Sequence, residues 1–279
     1  GNRTTCGLAG SGDGYVELNA PSASLLSARG LTRRFGETLA VDNVSFELAR
    51  GETLALIGHS GCGKTTTLKM LNRLIEPDEG EVLLAGTSAF DMPAHEWRRR
   101  IGFVIQSAGL FPHKTVGENI LVTPRLLGWE EARKQQKLDQ LMSMVGLAAS
   151  TYADRYPAEL SGGQRQRIGL ARALAGEPEI ILMDEPFAAL DPLTKSALLD
   201  DIVSLKRDLG FSSVLVTHDF SEALRLADRI AVMDKGQIVQ AGSADDLISR
   251  PANEMVESLL AAPRQSAEDV GRAFRDGPS

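Results

Sequence analysis

TLALIGHSGCGKT, residues 53 to 65, is the stretch of this chain that decides its fold. Its first part, Thr53 to Ile57, is mostly apolar and predicts a buried strand that ends where the glycines begin. A helix is predicted next, because apolar residues recur there at helical spacing: Leu68, Leu71, Leu74 and Ile75. The loop between strand and helix matches G-x-x-x-x-G-K-[ST], and a strand-to-helix connection is the setting in which this motif binds phosphate.

The glycine-rich loop has the chemistry of a nucleoside triphosphate site. Glycines at 58, 61 and 63 allow backbone conformations that turn successive N–H groups toward phosphate oxygens. Lys64, taken as an exposed loop residue, is expected to contact the β- and γ-phosphates, and the Thr65 hydroxyl is expected to bind Mg²⁺. Cys62 occupies a variable position of the motif and is interpreted as a small filler rather than a reactive thiol. We expect nucleotide contacts along the whole segment: Gly58, His59, Ser60, Gly61, Cys62, Gly63, Lys64, Thr65 and Thr66.

Two more predicted strands end in groups that could complete this site. Ile180 to Met183 is followed by Asp184 and Glu185, at the strand end where open α/β sheets bind ligands. We expect Asp184 to bind Mg²⁺ and Glu185 to orient or deprotonate the water that attacks the γ-phosphate. Val214 to Val216 is followed by His218, which we expect to contact the γ-phosphate.

Apolar strands alternate with helical patterns along much of the chain, which favours an α/β fold with parallel strands and crossover helices. Strand signals thin out between about Asp91 and Leu160, which indicates a helical insertion. One amphipathic helix of this insertion is marked by Leu138, Leu141, Met142 and Val145. Near the end of the core, the residues from Asp234 to Gly236 predict a hairpin turn between two short strands.

Composition is typical of a soluble globular protein, since 43% of the 279 residues are hydrophobic and 24% are charged. The net charge of -7 argues against a general nucleic-acid binder, which usually has a basic balance. Cys6 and Cys62 are far apart and indicate neither a disulfide framework nor a zinc site. Because no apolar run exceeds four residues and the first ten residues lack the apolar core of a signal peptide, we expect a cytoplasmic protein without a transmembrane segment.

A second anion-binding surface is predicted at Leu160 to Gln164, the segment LSGGQ. A serine and two glycines open a helix there, and such a segment offers a hydroxyl, free N–H groups and a helix dipole. A chain with two phosphate-binding surfaces either binds two ligands or shares one ligand between two copies.

Taken together, these motifs resemble those of the ATP-binding cassette ATPases, over about Leu31 to Ala262. The resemblance implies an α/β fold: a RecA-like core of the P-loop NTPase type with a mostly parallel sheet, an antiparallel β subdomain, and a helical subdomain at about residues 91–165. The ATPase domain would cover residues 27–262, between a flexible leader at 1–26 and a C-terminal tail at 263–279. The resemblance also implies that the protein hydrolyses ATP with Mg²⁺.

Further site residues follow from this resemblance alone. In the family two subunits sandwich two ATP molecules head to tail, so Ser161, Gly162, Gly163 and Gln164 of one subunit would face the ATP bound by the other. Phe35 matches the aromatic residue that stacks on adenine, and Gln106 matches the glutamine that touches Mg²⁺ and the attacking water. Asp191 belongs to a loop, Ala189-Leu190-Asp191, that crosses the dimer interface.

Several segments resemble one subgroup of the family, the importers of glycine betaine, choline, carnitine and related osmoprotectants: Thr65 to Glu76, Ile101 to Gln106, Leu110 to His113, Glu118 to Ile120 and Leu126 to Trp129. His59 stands where proline is common, and Arg165 stands where this group often has glutamine. Both positions lie beside the phosphate-binding atoms, so these departures weaken the subgroup more than the activity. A helix of a membrane subunit would dock near an exposed Leu110-Phe111 pair.

The resemblance also implies partners and a location. The partners would be a transmembrane permease subunit, a periplasmic or extracellular substrate-binding protein, and a second ATPase that is either another copy or a paralogue. The protein would lie on the cytoplasmic face of the cell membrane. Some relatives carry a tandem regulatory module after the ATPase, and regulation through such a module is not expected here.

Two alternatives remain open from the sequence. The chain could be the ATPase of an importer for another solute, such as phosphate, amino acids or sulfonates. It could also be a cassette ATPase without a transporter, acting in DNA repair or on ribosomes. A single cassette with a short helical insertion counts against the second alternative.

Overall fold

The computed structural model describes residues 24–188 and 190–260 of the chain. Its strands are β1 (Leu26–Phe35), β2 (Thr38–Leu48), β3 (Thr53–Ile57), β4 (Glu79–Leu84), β5 (Thr87–Ser88), β6 (Ile101–Val104), β7 (Ile180–Asp184), β8 (Ser212–Val216), β9 (Arg229–Asp234) and β10 (Gln237–Gly242). Its helices are α1 (Lys64–Leu71), α2 (Ala94–Arg99), α3 (Val116–Ile120), α4 (Val122–Leu126), α5 (Glu131–Met144), α6 (Ala149–Tyr152), α7 (Gly162–Ala175), α8 (Pro192–Leu209), α9 (Phe220–Leu226) and α10 (Ala244–Ser249), with a 3₁₀ turn at Pro157–Glu159.

The main sheet has six strands in the order β10-β9-β3-β8-β7-β6, and all neighbours are parallel except the β9–β10 hairpin. Strands β3 and β8 are buried at every position, as expected for parallel strands covered on both faces. Because β8 lies between β3 and β7, the carboxyl ends of these three strands adjoin one another: Val216 pairs with Leu56 on one side and Asp184 on the other. The predicted α/β fold with a mostly parallel sheet is confirmed.

A second, antiparallel sheet has the order β2-β1-β4-β5 and forms the expected β subdomain. Its strand β1 begins at Leu26, inside the predicted leader. Leu25 and Leu26 are buried, and the Leu25 N–H donates a hydrogen bond of 2.7 Å to the carbonyl of Leu48. The boundary of the predicted leader at residue 26 was therefore wrong, since Leu25 and Leu26 pack in the core. The rest of the leader and the predicted tail at 263–279 lie outside the described residues.

The helical region differs from its predicted range of 91–165 at both ends. Strand β6 lies inside that range but pairs with β7 in the main sheet, so helices α3 to α7 between β6 and β7 form the helical subdomain, which extends to Ala175. The predicted amphipathic face is confirmed, since Leu138, Leu141, Met142 and Val145 are all buried. In the part of the chain that the structure describes, no helix is both long and apolar enough to cross a membrane.

Helix α1 is shorter than the apolar spacing predicted. It ends at Leu71, because Arg73 adopts a left-handed backbone with φ 49° and the Leu74 N–H turns back to the Lys69 carbonyl at 2.9 Å. This is the hydrogen bond that closes a helix C-terminus. Leu74 consequently lies outside the helix and is exposed.

Candidate active site

The glycine-rich loop lies between β3 and α1 and is closely packed. A Cβ atom at Gly58 would lie 2.2 Å from the Met233 carbonyl oxygen, and one at Gly63 would lie 2.5 Å from the Ala40 carbonyl oxygen. Both glycines also have positive φ angles, 149° and 105°. Only glycine fits these positions, and the first N–H groups of α1 have no partner within the helix. The loop therefore offers a main-chain surface for an anion.

Lys64 is the first residue of α1 and is only 5% exposed. Its Nζ donates hydrogen bonds to the carbonyl oxygens of Gly58 at 2.8 Å and His59 at 3.0 Å, and lies 3.6 Å from the Cys62 sulfur. The expectation of an exposed lysine was wrong, because the loop folds around the side chain. Cys62 is buried, as expected for a small filler.

Thr65 and Asp184 meet across the edge of the sheet, where the Thr65 hydroxyl donates a 2.9 Å hydrogen bond to Asp184 Oδ1. Burial raises the pKa of Asp184 and Glu185 adds to the rise, whereas the Thr65 hydrogen bond and the charges of Lys69 and Lys64 oppose it. A partly desolvated carboxylate beside a hydroxyl offers two hard oxygen ligands, which suits Mg²⁺. These two residues are thus placed where a metal between protein and phosphate could be held.

Glu185 and His218 form a second pair at the same edge. His218 Nδ1 lies 3.3 Å from Glu185 Oε2, and the Glu185 N–H donates a 2.9 Å hydrogen bond to the Val216 carbonyl. The backbone of Glu185 is left-handed, with φ 44°, which is uncommon for a residue with a side chain and costs about 1 to 3 kcal/mol. The fold holds this carboxylate in a strained position beside Asp184, and the imidazole of His218 is exposed.

Gln106 was predicted to touch Mg²⁺ and the attacking water, and Phe35 was predicted to stack on adenine. Gln106 is exposed in the turn after β6, next to the end of β7 in the sheet. Within residues 24–188 and 190–260 its side chain makes no hydrogen bond to Thr65 or Asp184. Phe35 ends β1 and is exposed, with the Arg33 guanidinium 5.1 Å from its ring centre.

The segment predicted to bind a second anion lies at the start of α7, where Ser161 is the N-terminal cap. Ser161 Oγ accepts a hydrogen bond from the Gln164 N–H at 3.2 Å, and Gln164 Oε1 accepts one from the Ser161 N–H at 2.9 Å. This reciprocal cap leaves Ser161 and Gly162 exposed. Gly163 packs so closely on Thr194 that a Cβ atom would lie 2.3 Å from its methyl group.

Asp191 caps the next long helix, α8, and accepts a hydrogen bond of 3.1 Å from the Thr194 N–H. Hydrogen bonds from Thr194 lower the pKa of Asp191. Leu193, two positions later, is 85% exposed. Among the described residues, neither Asp191 nor the segment Ser161–Gln164 hydrogen-bonds to the glycine-rich loop, and Ala189 lies outside them.

The sequence did not reveal the polar network formed by the residues on both sides of His218. Thr217, Asp219 and Glu222 surround His218 in the chain, and Lys195 of α8 contacts both carboxylates. The spacing in the sequence offered one signal of local contacts. Glu222 follows Thr217 by five positions, and Lys195 follows Asp191 by one helical turn. Without the fold, nothing showed that α8 and α9 pack together.

Comparisons with known proteins identify the family of this chain. The family model described as ABC transporter matches residues 41–188. The chain is 49% identical over 245 residues to the osmoprotectant import ATP-binding protein OsmV of Salmonella typhimurium, covering 86% of this chain and 64% of that protein. It is 49% identical over 240 residues to the choline transport ATP-binding protein OpuBA of Bacillus subtilis, covering 85% of this chain and 63% of that protein. The chain thus spans less than two thirds of the length of these two relatives.

A third relative and two solved structures complete the comparison. The glycine betaine uptake system ATP-binding protein YehX of Escherichia coli is 49% identical over 230 residues, covering 82% of this chain and 74% of that protein. The dimeric post-hydrolysis state of the ATP-binding cassette MJ0796, bound to ADP and Pi, matches with a TM-score of 0.70 at 31% identity, covering 78% of this chain and 98% of that one. CbiO1 from Clostridium perfringens shares the fold, with a TM-score of 0.75 at 24% identity over 83% of this chain and 93% of that one. The chain therefore belongs to the ABC transporter family.

Proposed function

We propose that this chain binds and hydrolyses ATP. The observation that carries the proposal is the Thr65–Asp184 contact of 2.9 Å beside the Glu185–His218 pair of 3.3 Å, because it puts metal ligands and a water-activating carboxylate at one edge of the sheet. The main chain of the glycine-rich loop and the Lys64 ammonium would bind the phosphates. Thr65 and Asp184 would hold Mg²⁺, with Gln106 as a further ligand. When bound, Mg²⁺ would offset the charge that develops on the phosphate oxygens.

In this mechanism Glu185 orients the attacking water and takes its proton. The water oxygen forms a bond to the γ-phosphorus while the bond to the oxygen that bridges the β- and γ-phosphates breaks, giving ADP and phosphate. The exposed imidazole of His218 would donate a hydrogen bond to a γ-phosphate oxygen. Phe35 would stack on the adenine through its exposed ring.

We propose further that two copies, or this chain and a paralogue, share each ATP. Three exposed features favour such a dimer: the capped start of α7 at Ser161, the Asp191 loop, and Leu193, whose side chain is almost completely open to solvent. These features adjoin one another, because Gly163 packs on Thr194 in the first turn of α8. The dimeric state named for MJ0796 supports the same arrangement.

We also propose that the ATPase powers an importer for glycine betaine, choline or carnitine. OsmV is named for osmoprotectant import, OpuBA for choline transport and YehX for glycine betaine uptake, which supports this class of solute. A permease subunit in the membrane would dock at a cavity of about 330 Å³ between the main sheet and the helical subdomain. Phe111, at the rim, is 40% exposed, whereas Leu110 is half-buried and packs on the core, so the predicted exposed pair is reduced to one residue. The buried Asn72 also lines this cavity with an Oδ1 atom that has no hydrogen-bond partner among the described residues.

A substrate-binding protein outside the membrane would deliver the solute, and the chain would sit on the inner membrane face.

Two measurements test these proposals separately. Purified protein should release phosphate from ATP only when Mg²⁺ is present, and no release by the chain with its permease would refute the ATPase. Cells that lack the protein should take up less labelled glycine betaine, choline or carnitine than wild-type cells. Unchanged uptake of all three would favour another solute, and co-purification of nucleic acid or ribosomes instead of a membrane protein would exclude an importer.

A further inference from the structure

We propose that Lys195 is a positioning residue for His218, acting through Asp219 and Glu222. The proposal rests on the ATPase function argued above, in which His218 contacts the γ-phosphate. Lys195 itself lies on a different helix, α8, and has no role in that mechanism.

The contacts form a closed network around His218. Lys195 Nζ donates to Asp219 Oδ2 at 2.5 Å and lies 2.5 Å from Glu222 Oε1. The other oxygen of Glu222 accepts a 2.5 Å hydrogen bond from the Thr217 hydroxyl, and this hydroxyl accepts a 3.0 Å hydrogen bond from the Asp219 N–H. The residues on both sides of His218 are therefore tied to a single ammonium group.

Burial makes this network stiff. Thr217 is 1% exposed and Glu222 is 3% exposed, so neither can exchange its partner for water. A buried carboxylate is costly unless a cation and hydrogen-bond donors pair with it, and Lys195 and Thr217 supply both. Burial would lower the pKa of Lys195, but its hydrogen bonds to Asp219 and Glu222 outweigh that effect and raise it. The lysine thus stays charged in this setting.

The same lysine joins the His218 loop to the helix that starts at the proposed dimer interface. Its N–H donates a 2.9 Å hydrogen bond to the carbonyl of Asp191, the residue that caps α8. The first turn of α8 is therefore bonded to Asp191 through the main chain and to the His218 loop through the side chain. With Lys195 removed, we expect the imidazole to lose its fixed position relative to Glu185.

The test compares Lys195→Met, which keeps the length of the side chain, with Lys195→Arg and a matched control. Lys206 lies on the same helix and makes a contact of 2.5 Å to the more exposed Asp228, so Lys206→Met removes a lysine–carboxylate ion pair that does not involve the residues next to His218. We expect Lys195→Met to lower kcat about tenfold or more with KM for ATP little changed, because small displacements of reacting groups are expensive. Lys195→Arg should restore most of kcat, and Lys206→Met should leave it unchanged. Equal losses of kcat in Lys195→Met and Lys206→Met would overturn the proposal.

A double-mutant comparison separates positioning from general destabilisation. If Lys195 acts through His218, Lys195→Met should cost little further activity in a His218→Ala background, and the same factor in both backgrounds would overturn the proposal. Should Lys195→Met unfold because Glu222 loses its partner, the pair Lys195→Met with Glu222→Gln leaves no unpaired buried charge and should fold. Its kcat should remain low, and a wild-type kcat would contradict positioning.

A spectroscopic measurement keeps this proposal distinct from the ATPase itself. The chain has four histidines, so the imidazole NMR signal of His218 can be identified as the one that His218→Ala removes. Lys195→Met should shift that signal and Lys206→Met should not. If the wild-type protein has no ATPase activity but Lys195→Met still shifts the His218 signal, the proposed function is refuted and the positioning role is supported. An unmoved signal would refute the role of Lys195 whatever the activity.

Discussion

The guanidinium of Arg172 holds the carbonyl of Gly109 through a 2.6 Å hydrogen bond and also donates to the carbonyl of Ala108 at 2.7 Å. Arg172 belongs to α7, the helix that Ser161 caps, whereas Ala108 and Gly109 form the turn after Gln106. Both turn residues have left-handed backbones, with φ 59° and 55°, so the turn depends on external support. Burial lowers the pKa of Arg172, and the two carbonyls compensate part of its lost hydration.

Arg172→Met should therefore destabilise the protein by about 2 to 4 kcal/mol, since two partly buried carbonyl oxygens lose a charged donor. Denaturant unfolding would measure the loss. Arg29→Met is the matched control, because Arg29 pairs with Glu81 on the exposed surface, where removing an ion pair costs about 0 to 1 kcal/mol. Equal stabilities of the two variants would contradict the role given to Arg172.

Asp184→Asn should raise the stability of the ligand-free protein at neutral pH. Burial raises the folded-state pKa of this acid above its usual 3.8, so its contribution to stability is fully present below 3.8 and is lost as pH rises through the folded value. The amide can still accept the Thr65 hydrogen bond and carries no charge. Thermal melting at pH 7 and pH 4.5 should show a gain that shrinks toward acid. A gain that grew as pH fell would refute the sign of this shift.

Loss of the Asp184 charge should also remove Mg²⁺-dependent hydrolysis, because the metal would lose its carboxylate ligand. Phosphate release at saturating Mg²⁺ measures this effect independently of melting. A variant that hydrolyses ATP at the wild-type rate would exclude Asp184 as a metal ligand.

Glu185→Gln should bind ATP but hydrolyse it about a hundredfold to ten-thousandfold more slowly, since the amide cannot accept the proton of the attacking water. Uncleaved ATP would then hold two chains together, and light scattering should show a monomer without nucleotide and a stable dimer with ATP. ADP should not replace ATP, and the dimer fraction should grow with ATP concentration by mass action. A monomer at saturating ATP would argue against the shared site.

Ser161→Arg should leave ATP binding to the monomer intact while hydrolysis collapses. The residue is exposed at the start of α7 and touches no part of the glycine-rich loop of its own chain among the described residues, so only a second chain's ATP would meet the new side chain. Nucleotide binding and phosphate release should be measured on the same sample. Loss of both together would indicate misfolding rather than a blocked shared site.

The glycine-rich loop shows which features of the site can be predicted from neighbouring residues. The strand before it and the start of the helix after it depend on neighbouring residues, and the structure has both as predicted. The close packing that requires glycine at 58 and 63 is tertiary, because it is set by the carbonyls of Met233 and Ala40. The burial of the Lys64 side chain could not be predicted from neighbouring residues in this way. Its burial results from the loop closing around it and from the packing of β2 and the β9–β10 turn on that loop.

By itself, the sequence determined strands β3, β7 and β8, the β9–β10 hairpin, the buried face of α5, the helix start at Ser161 and the family, because apolar periodicity, glycine and capping residues act within a few positions of one another. Only the tertiary structure decided that Thr65 meets Asp184, that His218 meets Glu185 and that Lys195 reaches Glu222. These contacts follow from the insertion of β8 between β3 and β7 and from the packing of α8 on α9. The order of strands in a sheet is set by the burial of whole faces against one another, and residues tens of positions apart or more leave no local pattern that records it.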